Sequence, residues 1–544
     1  MKLFRKNFLK RRKKMKNKEY PLYEIAPKIN SIYEMLKIKN VNTPDEVAFK
    51  YRKGRSGIEE KTYAAVYEEA MKAASWISEN YGTKNHIAII GENSYEWLVA
   101  FFGTLISGNV AVPIDKELPA SEVEWLLNKA EATKVFISKT YSDLVENAKD
   151  VQSMTLKELQ KVSDSMDAGK YVPVIPEADE MAAIFFTSGT SGRSKGVVLS
   201  HGNIVSEINS ASAMFDPEGK TSLVVLPFHH TFGLNVAVLM AYNYGVSIFL
   251  NKSLKRVKED MVEAKPDVIM LVPMFIEVFY KRIMDGIEKS GQKQKVEKGR
   301  KMCNLMLKMG IDKRRHMFRN LLEIFGGNLK YIICGGAPLR PFYVQEFRDF
   351  GIEILNGYGT TECSPCVAIN RNYFKKDGSV GQVVPGTETR ISSESEVQFK
   401  GPVTMQGYYG DEEATSEVLQ DGWYSTGDLG YVDDDGFLFL TGRKKNLIIL
   451  SNGENISPEE LEGDIQIDPG VNEVLVYELD SKIVAEIFPE EEYMGKKEYF
   501  DELIKKVNEG RPVYKQIASV KLREEEFIKN TSKKIVRYKN VPKQ

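Results

Sequence analysis

The 544-residue chain contains no run of about 20 uninterrupted apolar residues, the length a helix needs to cross a bilayer, so no transmembrane span is expected. No apolar stretch follows the basic N-terminal residues, which argues against a secretory leader. Four cysteines are too few for a disulfide framework, and a reducing, cytoplasmic compartment is expected. Net charge is almost absent as well, −1, but only because opposite regions cancel. The first twenty residues hold ten Lys or Arg against one Glu, which leaves −10 on the remainder. So acidic a body excludes general nucleic-acid binding. A polyanionic ligand such as ATP would have to be held by local backbone donors, a few cations and Mg2+. No internal repeat is visible.

What is present is an ordinary globular composition, 42% apolar and 28% charged, in a chain long enough for several domains. The basic tail, residues 1–19, puts Phe4, Phe8 and Met15 on one helical stripe among Lys and Arg. That pattern fits a helix lying on an anionic membrane, peripheral at its inner face. It equally fits a frayed, solubilising tail.

From about residue 20 the text alternates helix-like segments (63–79, 95–107) with short apolar strands (86–91, 110–114). That alternation predicts βαβ units and a largely parallel sheet. Residues 163–179, rich in Ser, Asp, Gly and Pro, are expected to form a linker or surface loop. Further strands are expected at 222–227, 246–250, 268–272, 331–334 and 353–355, with a basic, solvated helical insertion at 281–319. After Thr387 short strands with Gly/Asp turns follow (396–400, 423–426, 437–441). A smaller last segment beyond 444–446 holds strands 473–478 and 482–487 and a helix 496–509.

The strongest local signal is an apolar strand running into TSGTSGRSKG, residues 187–196. Three glycines let this backbone curl so that several N–H groups converge on one anion. Thr187, Ser188, Thr190 and Ser191 add hydroxyls, Gly189 and Gly192 add freedom, and Lys195 adds charge. The Gly-Lys-Ser/Thr ending of a Walker loop is missing. This loop resembles the phosphate-binding signature of the adenylate-forming (AMP-binding) enzymes, with Ser194 where the family usually has proline. Further motifs follow in the family's order. LPFHHTFG (226–233) resembles the segment whose histidine, here His230, borders the acyl pocket. CGGAPL (334–339), with Gly336, Ala337 and Pro338, resembles the turn that shelves adenine. NGYGTTE resembles the segment in which an aromatic packs on adenine and an acid meets magnesium. It comprises Asn356, Gly357, Tyr358, Gly359, Thr360, Thr361 and Glu362, with Tyr358 as the aromatic and Glu362 as the acid. DGWYSTGDLG followed by GRKKNLI resembles the ribose clamp, with Asp428 accepting from ribose hydroxyls and Arg443 reaching ribose or phosphate. Lys445 falls at the family's hinge, and Gly453 maps to the hairpin beside the thiol tunnel. KNTSKKIVR (529–537) resembles the catalytic lysine motif. Lys534 is that lysine; Lys533 stands where glycine is usual, and Ile535 and Arg537 keep the register.

The resemblance, most of all to long-chain fatty acyl-CoA synthetases, implies an α/β fold. A large N-terminal domain of mixed and parallel sheets flanked by helices (20–445) would be joined by a hinge to a small α+β C-terminal domain (446–544). It also implies ATP, Mg2+ and coenzyme A, with Lys534, Glu362, Thr187 and His230 as catalytic residues. The acid would first become an acyl-adenylate and then a thioester. Residues 228–240 hold no acid to pair an α-ammonium, which argues against amino-acid substrates, and Phe232, Leu234, Val236, Val238 and Leu239 are the expected apolar pocket walls. Medium-chain or aryl acids, and an acyl-carrier protein in place of CoA, share the same first step. A luciferase-like oxidoreductase lacks support in the Val-Pro-Lys-Gln ending, and a non-catalytic lipid-binding relative is disfavoured by the presence of Lys534 and Glu362. CSPC (363–366) is the one competing motif, a Cys-x-x-Cys for metal or redox chemistry.

Overall fold

The computed structural model describes residues 22–54, 57–187, 194–449, 455–480, 482–529 and 535–542. Among these, no helix is long and apolar enough to cross a membrane.

Two large sheets build the body. In the first, strands Val47–Lys53, Ser247–Leu250, Thr221–Val224, Val268–Leu271, Tyr331–Cys334 and Glu353–Gly359 run parallel in that order. The last of these then pairs antiparallel with Cys366–Ile369, and the sheet continues through Gly381–Val383, Phe437–Arg443 and Trp423–Val432 to Glu396–Lys400. Glu353–Gly359 is therefore the seam between the parallel and antiparallel halves. It extends four residues past the expected Leu355, because the antiparallel partner carries the ladder through Gly357 and Tyr358. The second sheet sets His86–Ile90, Val110–Ile114, Lys134–Ile137 and Met181–Thr187 parallel, with Lys195–Ser200 and Gly407–Tyr408 antiparallel at one side. Val110–Ile114 is buried along its whole length, as a parallel strand covered on both faces must be.

Helix Tyr63–Tyr81 lies against this framework. Thr62 caps it by accepting from the Ala65 N–H, Gly82 ends it at φ +76°, and its buried stripe (Val66, Ala70, Ala73, Ala74, Ile77) has the helical repeat. One core cluster joins both sheets through this helix, Tyr95–Ile106, His201–Ser212 and the segment Phe232–Met240. Phe232–Met240 is a π-helix, a wide turn that tends to mark functional segments. Four of the five expected pocket walls, Leu234, Val236, Val238 and Leu239, lie at 0–3% exposure inside this core, and only Phe232 is partly exposed. Period-blind reading of an all-apolar run cannot separate a lining face from a core face.

The segment 281–319 is more than a solvated insertion. Helices Pro273–Lys289 and Lys293–Lys308 enclose Cys303 and Phe318 in a second core cluster, and Arg300 pairs with Glu346 and with Asp349. Residues after Ile448 have their own apolar cluster, from Ile448 and Leu461 to Val520. It forms around a three-stranded sheet of Val471–Leu479, Lys482–Pro489 and Ser519–Leu522.

Candidate functional site

The motifs gather because of where the parallel strands end. LPFHHTFG follows Thr221–Val224, CGGAPL completes Tyr331–Cys334, and NGYGT completes Glu353–Gly359, three strands of one sheet pointing the same way. Carboxyl ends of parallel strands are where α/β folds bind ligands. Close approaches join the three. The Phe232 ring lies 3.4 Å from the position a Gly335 Cβ would occupy, and the Gly357 carbonyl lies 3.6 Å from the same point. Gly336 (φ +84°), Ala337 and Pro338 form an exposed turn beside them.

Tyr358 stands at the centre of the first cluster. Its hydroxyl donates to Asp428 Oδ2 at 2.5 Å, and Arg443 Nε meets Asp428 Oδ1 at 2.6 Å. Asp428 and Arg443 face each other because Trp423–Val432 and Phe437–Arg443 pair in that register. Asp428 is 6% exposed, and the Thr426 hydroxyl accepts its backbone N–H. Burial, reinforced by the Asp428 carboxylate, raises the Tyr358 phenol well above its ordinary value, so it stays a donor. Both carboxylate oxygens thus have a protein partner, and ribose hydroxyls would use the remaining lone pairs. Asn356 Oδ1, on the same strand, is buried with no hydrogen-bond partner among the described residues. Such an acceptor suits a ligand bearing donors.

A second cluster forms around Glu362. Ser200 and Asn203 make a capping box for helix His201–Ser212, and the Asn203 amide also donates to the carbonyls of Pro402 and Thr404. That clamp carries the 402–408 segment across the second sheet. The Met405 N–H then donates to the Glu362 carbonyl at 2.7 Å, and the Tyr408 hydroxyl donates to Glu362 Oε1 at 2.9 Å. Lys195 Nζ lies 4.8 Å from the centre of the Tyr408 ring and pairs in the sheet with Thr187. Thr187 and Lys195, the two described ends of the glycine-rich loop, are so brought to the Glu362 carboxylate through Tyr408. Nothing in the sequence pattern singled out Tyr408, which is 46 positions from Glu362. Its signal is tertiary. The half-buried Glu362, with one oxygen engaged by Tyr408, fits a hard cation that takes one protein carboxylate and fills its shell with phosphate and water.

His230 sits on an exposed turn, its ring 4.3 Å from that of His229. His229 is the more enclosed of the two. Burial pushes its imidazole well below the ordinary value, and its Nε2 faces Asp115 Oδ2 at 3.5 Å. Thr360 and Thr361 lead into a short 3₁₀ turn, Thr361–Cys363. The CSPC thiols of Cys363 and Cys366 are free and buried, and burial raises both well above the ordinary thiol value, which disfavours thiolate chemistry. Lys445 lies in the 3₁₀ turn Lys444–Asn446, where burial and Arg443 lower its ammonium pKa. Ser188, Gly189, Thr190, Ser191, Gly192, Gly453 and Lys534, and the basic tail 1–19, lie outside the described residues. On either side of Lys534, Lys529 and Ile535 pair as an antiparallel bridge, and Arg537 makes two 2.8 Å contacts with the Glu462 carboxylate.

Two substitutions probe this geometry. A Cβ at Gly359 would fall 1.6 Å from the Pro365 carbonyl oxygen. Gly359→Ala is therefore expected to cost about 3 kcal/mol or more of stability, read as a lowered urea midpoint and loss of nucleotide-induced thermal protection. Asp428→Ala leaves Tyr358 and Arg443 without their shared acceptor and is expected to weaken ATP binding by about 2–3 kcal/mol, roughly 100-fold. Affinity for the acid should change little. Calorimetric titration with ATP checks this, and an unchanged ATP affinity would remove Asp428 from the site.

The AMP-binding enzyme family model matches residues 36–409. A long-chain-fatty-acid–CoA ligase, FadD15, of Mycobacterium bovis is 31% identical over 438 residues, which cover 74% of this chain and 72% of the relative. The 2-succinylbenzoate–CoA ligase of Bacillus licheniformis is 26% identical over 459 residues, 81% of this chain and 85% of the relative. Among solved structures, the o-succinylbenzoate CoA synthetase of Bacillus subtilis with its acyl-adenylate intermediate superposes with a TM-score of 0.73. It is 23% identical and covers 94% of this chain and 98% of its own, a likeness of fold.

Proposed function

The chain belongs to the AMP-binding enzyme family, and from that premise we propose that it activates a fatty acid, of long chain, with ATP and transfers the acyl group to coenzyme A. At the coarser level it is an AMP-forming acid–CoA ligase. The observation that carries the reading is that two clusters, Tyr358–Asp428–Arg443 and Glu362–Tyr408–Lys195, are built on one short stretch, Tyr358 to Glu362, at the carboxyl end of a parallel strand.

A carboxylate acylates poorly because oxide is a poor leaving group. In the first half-reaction a carboxylate oxygen attacks the α-phosphorus of ATP, the bond to the β-phosphate bridging oxygen breaks, and pyrophosphate leaves. Two anions must meet, so the barrier is chiefly electrostatic. Lys195, the backbone donors of 187–192 and Lys534 would supply fixed positive potential at the phosphates. Asp428 and Arg443 would hold the ribose, Tyr358 would pack on adenine, and the Gly336–Pro338 turn would border it. Glu362 would hold Mg2+, which supplies charge neutralisation on the phosphate oxygens. In the second half-reaction the thiol sulfur bonds to the acyl carbon, AMP leaves with the former carboxylate oxygen, and the thiol proton passes to solvent. We place the hinge between a large domain (20–445) and a small one (446–544) at Lys445, with Gly453 beside the thiol's approach.

The fatty-acid assignment is supported by the resemblance of the helical insertion 281–319, and of the HHTFG and Lys533–Lys534 variants, to long-chain synthetases, and by the likeness to the long-chain ligase. Pyrophosphate release measured over a panel of acids tests it, with CoA, a phosphopantetheinylated carrier protein or no acceptor. Turnover highest with a long-chain acid and CoA is expected. Preference for 2-succinylbenzoate or another aryl acid would overturn the acid, and faster transfer to the carrier protein would overturn the acceptor.

A further inference from the structure

Helix Lys293–Lys308 turns one face to the body and one to solvent, and the solvent face is the unusual one. The inner face buries Gly299 and Cys303 and is pinned by Arg300 to Glu346 and Asp349. On the outer face Met302 and Leu305, with the C-cap residue Met309, are 46%, 61% and 63% exposed and recur at i, i+3 and i+7, an apolar stripe turned to solvent. Lys298, Lys301 and Lys308 flank it, all exposed, and no acidic residue occurs between Lys298 and Ile311. The cations of the region divide by role. Arg300, Arg314 and Arg315 face inward to carboxylates and carbonyls, whereas the lysines face out.

We propose that this face docks on a membrane surface carrying anionic lipid. An apolar stripe bordered by lysines, on a helix about 24 Å long, is the pattern of a helix lying in the headgroup region: thioether and leucine side chains enter the acyl boundary, and the lysines stay at the phosphates. The face is convex and belongs to a single helix, so it suits a flat, deformable surface. A nucleic-acid backbone would neutralise the lysines but leave the stripe in water. Outside this helix and the basic tail the chain is acidic and would be repelled by such a membrane, which orients the protein with this face inward. The inference does not depend on which acid is activated, because it is read without turnover.

The test uses the full chain and vesicles of phosphatidylcholine with about 30% phosphatidylglycerol, a surface on which basic residues contribute measurably. M302Q/L305Q/M309Q is expected to lower the vesicle partition coefficient about tenfold, and K298Q/K301Q/K308Q to lower it similarly in low salt and less in high salt. Because all four cysteines are buried, Met302→Cys provides a single surface thiol for an environment-sensitive fluorophore. Its emission should shift to the blue on these vesicles and be quenched by nitroxide-labelled lipid, while Val172→Cys, 81% exposed elsewhere, should show neither effect. Binding unchanged in the apolar variant overturns the proposal. So does binding lost only in the lysine variant, which would make the face a screened anion site, and so does a Met302 label that lipid does not quench.

Discussion

Replacing Lys534 with alanine is expected to slow acyl-adenylate formation about 10³-fold while sparing thioester formation from supplied acyl-adenylate. A fixed cation aimed at developing phosphoryl charge contributes on that scale, and the second half-reaction develops none at phosphorus. The flanking residues give the segment a firm base. The Lys529–Ile535 bridge joins its two flanks to each other, and Arg537 ties them to strand Val471–Leu479 through the Val476 carbonyl and to helix Pro458–Ile465 through Glu462. Single-turnover pyrophosphate release and acyl-CoA formation from synthetic acyl-adenylate read the two steps separately. Equal loss in both would sink the assignment, and a Lys533→Ala variant that fails in its place would move the role by one position.

Lys445→Pro is expected to separate the half-reactions in the opposite sense, keeping the first-turnover release of pyrophosphate and slowing acyl-CoA formation by about 100-fold, as a blocked domain rotation would. The structure makes this test sharper. Lys444–Asn446 is a single 3₁₀ turn, closed by the Leu447 N–H donating to the Lys444 carbonyl, and a proline is compatible with its second residue. The substitution would therefore hold the present arrangement and remove the freedom to leave it. Beside this turn the Ser457 hydroxyl donates to the Thr441 carbonyl at 2.7 Å, a contact across Lys445 that a rotation about it must exchange, whereas the bond from the Asn446 amide to Glu459 at 2.6 Å lies within the small domain and would travel with it. Acyl-CoA produced at the unmodified rate would exclude Lys445 as the hinge. Loss of both steps would show that Arg443 and its Asp428 contact had been disturbed, and ATP titration would register that directly.

Local chemistry by itself determined the order and identity of the motifs. Glycines at 189, 192, 336 and 359, hydroxyls at 187–191, and the acid, aromatic and basic residues at 358, 362, 428 and 443 are set by what each short stretch of backbone must do, so they are legible residue by residue. The alternation of apolar strands with helices was equally legible, because periodicity is a local property. Tertiary structure alone decided which side chains meet. Tyr408 reaches Glu362 only because Asn203 clamps residues 402–404, and Asp428 faces Arg443 only through the register of two strands. It also decided that His229 rather than His230 is enclosed, and that Leu234, Val236, Val238 and Leu239 belong to the core. The reason is physical. Composition and spacing specify the conformation a segment prefers, whereas burial and partnership depend on the packing of segments remote in the chain, and one residue of sheet register or a quarter turn of helix exchanges a lining side chain for a core one.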